Sequence, residues 1–153
     1  PTVIDEQRFE GFMSVIADTG IEVLDSQYAN WNRDDGFTVM QDFLSRFPKI
    51  DAVWAQDDDI AIGVIQAVRQ ARRQDELFVV GGGGMKDIVR RVKGGDKLTP
   101  VDVLYPPGMI STAMELTTIK LLADAPIEGE YILSSPLITE QNADDYYFPD
   151  SPF

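Results

Sequence analysis

Three side chains in this sequence have the chemistry to bind a polar ligand. Asp57 begins a run of three aspartates directly after an apolar segment, where a carboxylate can accept hydrogen bonds from ligand hydroxyls or hold a hard cation. Trp31 lies in a polar loop, where a large ring has no core to fill, so it is either partly exposed or part of a surface that becomes covered. Arg8 lies among polar residues, and its ordinary interpretation is a solvated charge on a helix face.

Purely structural roles compete with ligand binding for these residues. A carboxylate at a helix N-terminus caps free N–H groups, and capping explains Asp58 or Asp59. It explains Asp57 less well, because the residue closest to the strand end points into a cleft. Tyr105 precedes two prolines and marks a strand end where the chain changes direction. Trp54 lies inside an apolar strand and is interpreted as core.

Composition excludes several kinds of site and partner. Histidine and cysteine are absent, which removes Ser-His-Asp and Cys-His catalysis, disulfides and the usual zinc ligands. The 26 acidic and 13 basic residues give a net charge of −13, which repels phosphate backbones and anionic lipid faces. No apolar run approaches the roughly 20 residues of a membrane span. We therefore expect neither nucleic acid nor a membrane as partner.

A run of four glycines over residues 81–84 suggests a phosphate-binding loop, but the residues around it do not fit one. A Walker loop requires Gly-Lys followed by Ser or Thr, whereas Met85, Lys86 and Asp87 follow here. The dinucleotide fingerprint belongs to the first strand-helix unit of its fold, and this run lies in a later one. The sequence therefore predicts a backbone turn, with no cofactor and no metal.

The spacing of apolar residues predicts alternating helices and strands. Helices are predicted over residues 4–19, 37–47, 60–68, 85–92 and 110–121. Strands are predicted over residues 21–27, 51–56, 77–80 and 101–105, with extended pieces at 131–133 and 137–139 and a loop-like tail over 140–153. This order predicts an α/β fold, a three-layer Rossmann-like lobe with a mostly parallel sheet.

The predicted fold also indicates where a ligand binds. Ligands of open α/β sheets lie beyond the carboxyl ends of the strands, which here are followed by residues 28–32, 57–59, 81–85 and 105–109. The first helix lacks the preceding strand that a right-handed crossover needs, and the chain opens with Pro1 rather than Met. We therefore expect the chain to be a piece of a longer protein.

Five segments resemble, in order, the ribose-binding-protein-like substrate-binding proteins of bacterial sugar ABC transporters. They are RFEGF at 8–12, QYANWNR at 27–33, DAVWAQDDDIAIG at 51–63, VVGGGG at 79–84 and YPPGMISTA at 105–113. Repressors of the LacI type share the same lobe. The resemblance implies one lobe of a type I periplasmic-binding-protein fold, in which two lobes joined by three chain crossings close around a sugar.

The resemblance also implies roles for individual residues. Arg8 corresponds to an arginine that bonds sugar oxygens, and Trp31 falls at the aromatic residue that stacks on the sugar ring. Asp57 stands where the usual residue is Asn, so this side chain accepts hydrogen bonds but does not donate them. Gly83 falls where an aspartate is common, and Tyr105 replaces a frequent glutamine at the hinge. The implied ligand is a sugar or polyol, and these departures argue against ribose itself.

The resemblance divides the chain into three parts. Residues 1–104 form the ligand-binding lobe, 105–133 a hinge crossing with a helix that belongs to the other lobe, and 134–153 a return segment and tail. Without that lobe, we expect the helix to pack elsewhere, to swap between two molecules of a dimer, or to expose apolar surface. The implied partner of the whole protein is the membrane permease of the transporter, and the implied location is the periplasm.

Two other functions compete with sugar transport. One is the effector lobe of a LacI-type transcription regulator, which the N-terminus of the full-length protein would distinguish by a helix-turn-helix in place of an export signal. The other is a Mg²⁺-dependent phosphotransfer or hydrolase domain that uses Asp57 and Asp59 after a buried strand. Supporting Lys, Ser and Thr residues at neighbouring strand ends are not evident for it.

Overall fold

The computed structural model describes residues 2–106 and 108–151, in which helices and strands alternate from the second helix onward. The helices are α1 (Val3–Ile16), α2 (Arg33–Arg46), α3 (Asp58–Gln70), α4 (Lys86–Lys93) and α5 (Met109–Ala123). The strands are β1 (Ala52–Trp54), β2 (Phe78–Val80), β3 (Val101–Val103) and β4 (Leu137–Thr139), and a 3-10 turn covers Ala143–Asp145. No described helix has the length and apolar character needed to cross a bilayer.

The strands form two pairs that a single bridge connects. Strands β1 and β2 are parallel, with Val53 opposite Val79. Strands β3 and β4 are antiparallel, with Asp102 opposite Ile138. A parallel bridge between Gly83 and Leu104 links the two pairs. The first three strands therefore run in the same direction, and their carboxyl ends meet at one edge.

Three of the helices begin at a polar side chain that caps their first turn. The Thr2 hydroxyl accepts a hydrogen bond from Asp5 N, and Asn32 accepts from the first free amides of α2. Asp57 accepts from Asp59 N at the start of α3. Each cap satisfies a backbone donor that the helix itself leaves unpaired.

The core lies between the sheet and helices α2, α3 and α4. Helix α3 is its centre, because it packs closely on α2 and also contacts β2, while α4 contacts β3 and β4. The largest fully buried apolar side chains are Met40, Ile65, Val68, Val79, Ile88, Val89, Val92 and Ile138. These residues come from the helical stripes and strand positions that the apolar spacing predicts.

One predicted strand is wrong. Residues 21–27 form no strand and no backbone hydrogen bond to β1, and Ile21, Val23 and Leu24 are exposed. A β-prone run forms a strand only where packing and cross-strand pairing support it. Strand β1 pairs with β2 alone and receives no hydrogen bond from these residues on its other edge. The extended piece at 131–133 is likewise unpaired, whereas that at 137–139 is confirmed as β4.

Helix α5 exposes apolar surface, one of the three outcomes expected for it. It has no buried residue, and Leu121 and Leu122 are 75% and 84% exposed. Between α5 and residues 127–135 lies an open, largely apolar groove of about 510 Å³. Its assignment to a second lobe remains a prediction.

The contact between α2 and α3 provides a stability test. A β-carbon on Gly63 would lie 2.0 Å from the Arg33 carbonyl oxygen, so Gly63→Ala must push two helices apart. We expect this variant to lose about 2 kcal/mol or more of unfolding free energy in urea titrations. Gly11→Ala in α1 is the matched control, because nothing lies within 4 Å of its β-carbon. It should gain about 0.5 kcal/mol, and equal losses in both variants would contradict the packing described.

The cap of α3 provides a second test. Asp57→Ala removes the acceptor for Asp59 N and should cost about 1 kcal/mol of unfolding free energy, whereas Asp57→Asn should cost only a few tenths because asparagine caps equally well. Urea titrations of both variants measure the difference. An Asn variant as unstable as the Ala variant would show that the negative charge, and not the cap, supports the helix.

Candidate functional site

Helix α1 is fixed against the carboxyl end of β1 by two polar contacts and one ring stack. Arg8 Nη1 donates a hydrogen bond of 2.6 Å to the Gln56 carbonyl oxygen. Gln56 Nε2 donates in turn to Asp5 Oδ1 at 2.8 Å. The Phe12 ring stacks on Trp54 with centroids 4.5 Å apart, so Trp54 is half-buried under α1 rather than part of the inner core. These contacts place Arg8 at the strand end.

The structure brings three of the four predicted site residues together. The Arg8 guanidinium carbon lies 5.8 Å from the centroid of the Trp31 ring and 5.1 Å from that of Tyr105. Both distances are typical of cation–π contacts. Trp31 and Tyr105 are 38% and 42% exposed, and Arg8 is half-buried between them. A charged group with two accessible aromatic rings thus faces solvent at this edge.

The backbone holds Trp31 in an unusual conformation. Its φ is 55° and that of Asn30 is 48°, both in the left-handed region, which a bulky residue such as tryptophan rarely adopts. The Asn32 amide donates to the Ala29 carbonyl oxygen at 2.8 Å, which closes this turn. Non-glycine residues held in this region are concentrated at ligand sites. The turn presents the indole beside Arg8, a feature that the sequence pattern does not reveal.

Asp57, the fourth predicted site residue, is the cap of α3. Its Oδ1 accepts from Asp59 N at 2.8 Å, and its Oδ2 has no hydrogen-bond donor among the described residues. It follows Gln56, whose carbonyl binds Arg8, but the described part of the chain shows no ion pair between Asp57 and Arg8. The half-buried carboxylate therefore keeps one oxygen that the cap does not use, next in sequence to the residue that binds Arg8.

The expectation that Asp58 or Asp59 caps the helix is wrong. Asp58 is fully buried and accepts hydrogen bonds from Gly82 N at 2.9 Å and Met85 N at 2.7 Å. Asp59 forms an ion pair with Arg33 at 2.6 Å. The cap falls on Asp57 because β1 ends at Trp54, two residues before the predicted end, and α3 begins at Asp58.

The Asp58 contacts form a second part of the site that the sequence pattern alone did not identify. These hydrogen bonds connect the glycine run after β2 to the start of α3. Burial of the side chain raises the pKa of Asp58. A β-carbon on Gly83 would lie 2.9 Å from Asp58 Oδ2, so a side chain there would displace this carboxylate. The described residues contain no group of three or more acidic side chains arranged to hold a metal ion.

The site can bind a ligand through groups of three kinds at one edge. The rings have the chemistry to cover apolar ligand surface, Arg8 has donors for hydrogen bonds, and Asp57 Oδ2 is an acceptor. None of these groups is arranged as a nucleophile with an adjacent base. The geometry is thus suited to non-covalent recognition.

Comparisons with known proteins identify the family and the fold. The profile of the periplasmic binding protein domain matches residues 3–118. A xylitol-binding protein of Mycolicibacterium smegmatis is 34% identical over 149 residues, which cover 90% of this chain and 39% of that protein. A ribose import binding protein of Salmonella typhimurium is 33% identical over 135 residues, 88% of this chain and 45% of the relative.

A solved structure extends the comparison. The periplasmic solute-binding protein of an Actinobacillus succinogenes ABC transporter, with bound D-allose, superimposes with a TM-score of 0.84 at 25% identity. The alignment covers 92% of this chain and 50% of that protein, so the chain spans half or less of the length of these three proteins. The predicted type I periplasmic-binding-protein fold is confirmed, and the chain belongs to the periplasmic binding protein family.

Proposed function

We propose that this chain is the ligand-binding half of a substrate-binding protein that delivers a sugar or sugar alcohol to an ABC-type importer. The observation that supports this most strongly is the cluster of Arg8, Trp31 and Tyr105 at the carboxyl end of β1. The relatives named above bind xylitol, ribose and D-allose. Because they are import and solute-binding proteins, transport is proposed in preference to transcription regulation.

Each group in the cluster has a distinct role in this proposal. The indole of Trp31 stacks on the apolar face of the sugar ring, and Tyr105 closes the edge beside it. Arg8 keeps one guanidinium N–H on the Gln56 carbonyl and directs the others to ligand hydroxyls. Asp57 Oδ2 accepts from a further hydroxyl. The protein binds and releases its ligand unchanged and is not an enzyme.

In the whole protein, the ligand lies between two lobes. Residues 1–104 supply this lobe, 105–133 cross the hinge and carry α5 to the other lobe, and 134–153 return. The exposure of α5 supports this division, because none of its residues is buried and Ile110, Met114, Leu121 and Leu122 are each more than 60% exposed. Ligand binding shifts the population toward the closed form, which the permease recognises at the periplasmic side of the membrane.

Truncation of the indole tests the stacking role. Trp31→Ala should weaken binding of the best ligand among xylitol, D-ribose and D-allose about fivefold, since a ring stack contributes roughly 1 kcal/mol. Calorimetric titration of the full-length polypeptide measures the dissociation constant. Phe148→Ala is the control, because Phe148 is an exposed aromatic residue outside the cluster. Equal affinities of wild type and Trp31→Ala would refute the assignment.

Asp57→Asn tests the acceptor role separately from folding. Asparagine keeps the cap of α3 but replaces an acceptor-only carboxylate with a group that also donates. We expect the affinity for the wild-type ligand to fall about tenfold, because one charge-assisted hydrogen bond of roughly 1.5 kcal/mol is lost. Titration calorimetry provides the measurement. A variant that folds normally and binds as tightly as wild type would remove Asp57 from the site.

A further inference from the structure

Two carboxyl groups are buried together beneath the glycine run after β2. Asp58 at the start of α3 and Asp102 in the middle of β3 both have 0% exposure. If Gly81 carried a β-carbon, that atom would lie 2.3 Å from Asp58 Oδ1 and 3.1 Å from Asp102 Oδ1. The two Oδ1 atoms therefore point to the same small space beside Gly81. We call Asp58 and Asp102 the acid pair, and residues 81–85 the glycine loop.

Three of the four oxygens of the acid pair bind amides of the glycine loop. Asp58 Oδ1 accepts from Gly82 N and Asp58 Oδ2 from Met85 N, at 2.9 and 2.7 Å. Asp102 Oδ2 accepts from Gly84 N at 3.0 Å. The fourth oxygen, Asp102 Oδ1, is buried and has no donor among the described residues. A buried oxygen of this kind is costly unless it carries a proton of its own and becomes the donor.

The charged groups around the acid pair do not neutralise it. On α3, Asp57 adds negative charge, and Asp59 is paired with Arg33. At the start of α4, Lys86 Nζ donates to the Pro149 and Ser151 carbonyl oxygens. Beyond it, Asp87 pairs with Arg90. From β4, the buried neighbour is the apolar Ile138. In the described part of the chain, no cation forms an ion pair with either member.

We propose that the acid pair shares one proton, carried on Asp102 Oδ1 and donated to Asp58, and that this proton holds the glycine loop in place until alkaline pH removes it. Asp58 is the member that stays ionised, because it accepts from two amides and lies at the N-terminus of α3. Loss of the proton leaves two buried negative charges, and their repulsion releases the loop. Any effect on ligand affinity rests on the proposed function, because the loop lies at the proposed cleft.

The titration of the two groups agrees with this geometry. Burial, followed by the neighbouring Asp58 charge, raises the pKa of Asp102 to about 8. The ordinary pKa of this side chain is 3.8. Between these two values the folded chain holds a proton that the unfolded chain has lost. The contribution of this proton to the unfolding free energy is therefore greatest at the acidic end of this interval, and it falls as the pH rises through the interval.

The first test compares Asp102→Asn with wild type. The amide NH₂ of asparagine takes the place of the protonated Oδ1 and donates a hydrogen bond at every pH. Its amide oxygen still accepts from Gly84 N. The unfolding constant of wild type relative to this variant should rise about tenfold per pH unit between about pH 5 and 8, as expected for one proton. Asp75→Asn, which removes one exposed charge, should show no such slope. Parallel profiles for wild type and Asp102→Asn would overturn the proposal.

The second test uses the wild-type chain, so it does not depend on how any variant folds. Carboxyl ¹³C resonances, followed by NMR, should show Asp102 titrating near pH 8, and the amide resonances of Gly82, Gly84 and Met85 should move with it. A midpoint of Asp102 below pH 5, or loop amides that stay fixed, would overturn the proposal. Neither test needs a sugar, so a failure of xylitol, D-ribose and D-allose to bind would refute the proposed function and leave the acid pair standing.

Discussion

The candidate site depends on the buried carboxylate of Asp58, which joins two strand ends that the chain alone does not connect. Its oxygens accept from Gly82 N and Met85 N, so the start of α3 and the glycine loop form one unit. A lone buried charge is unfavourable, and Asp58 is tolerated because amides and a helix N-terminus surround it. The glycines are needed here for a physical reason, since side chains at positions 81 and 83 would overlap this carboxylate.

The remaining site residues are positioned from outside this unit. Helix α1 delivers Arg8 to the Gln56 carbonyl, one residue before the cap of α3, and the turn before α2 delivers Trp31. The guanidinium then lies between two rings that are each partly open to solvent. Such a surface offers ring faces and directed hydrogen bonds, which are the groups that non-covalent recognition of a polar ligand requires.

Much of the fold follows from local patterns in the sequence. Apolar residues at helical spacing predict α2, α3, α4 and α5, because one stripe of each such helix must face the core or a partner. The strand over 21–27 is wrong because strand formation depends on tertiary packing and pairing as well as on β-prone residue types. The predicted position of the α3 cap is also wrong. Strand β1 ends at Trp54 and α3 begins at Asp58, so the cap is Asp57.

The site was only partly predictable. Residue type identified Arg8, Trp31, Asp57 and Tyr105 as groups able to bind a polar ligand, and the family resemblance gave them roles. The left-handed turn at Trp31 could not be predicted, because tryptophan has no preference for that conformation. The burial of Asp102 beside Asp58 could not be predicted either, because it appears only when β3 lies next to the glycine loop.

The most direct test of the central claim is a crystal structure of the full-length polypeptide with xylitol, D-ribose or D-allose bound. The account predicts the ligand stacked on the Trp31 indole at about 4 Å, with Arg8 and Asp57 within about 3 Å of its hydroxyls. A ligand bound elsewhere on this chain, with Trp31 and Arg8 still facing solvent, would contradict it.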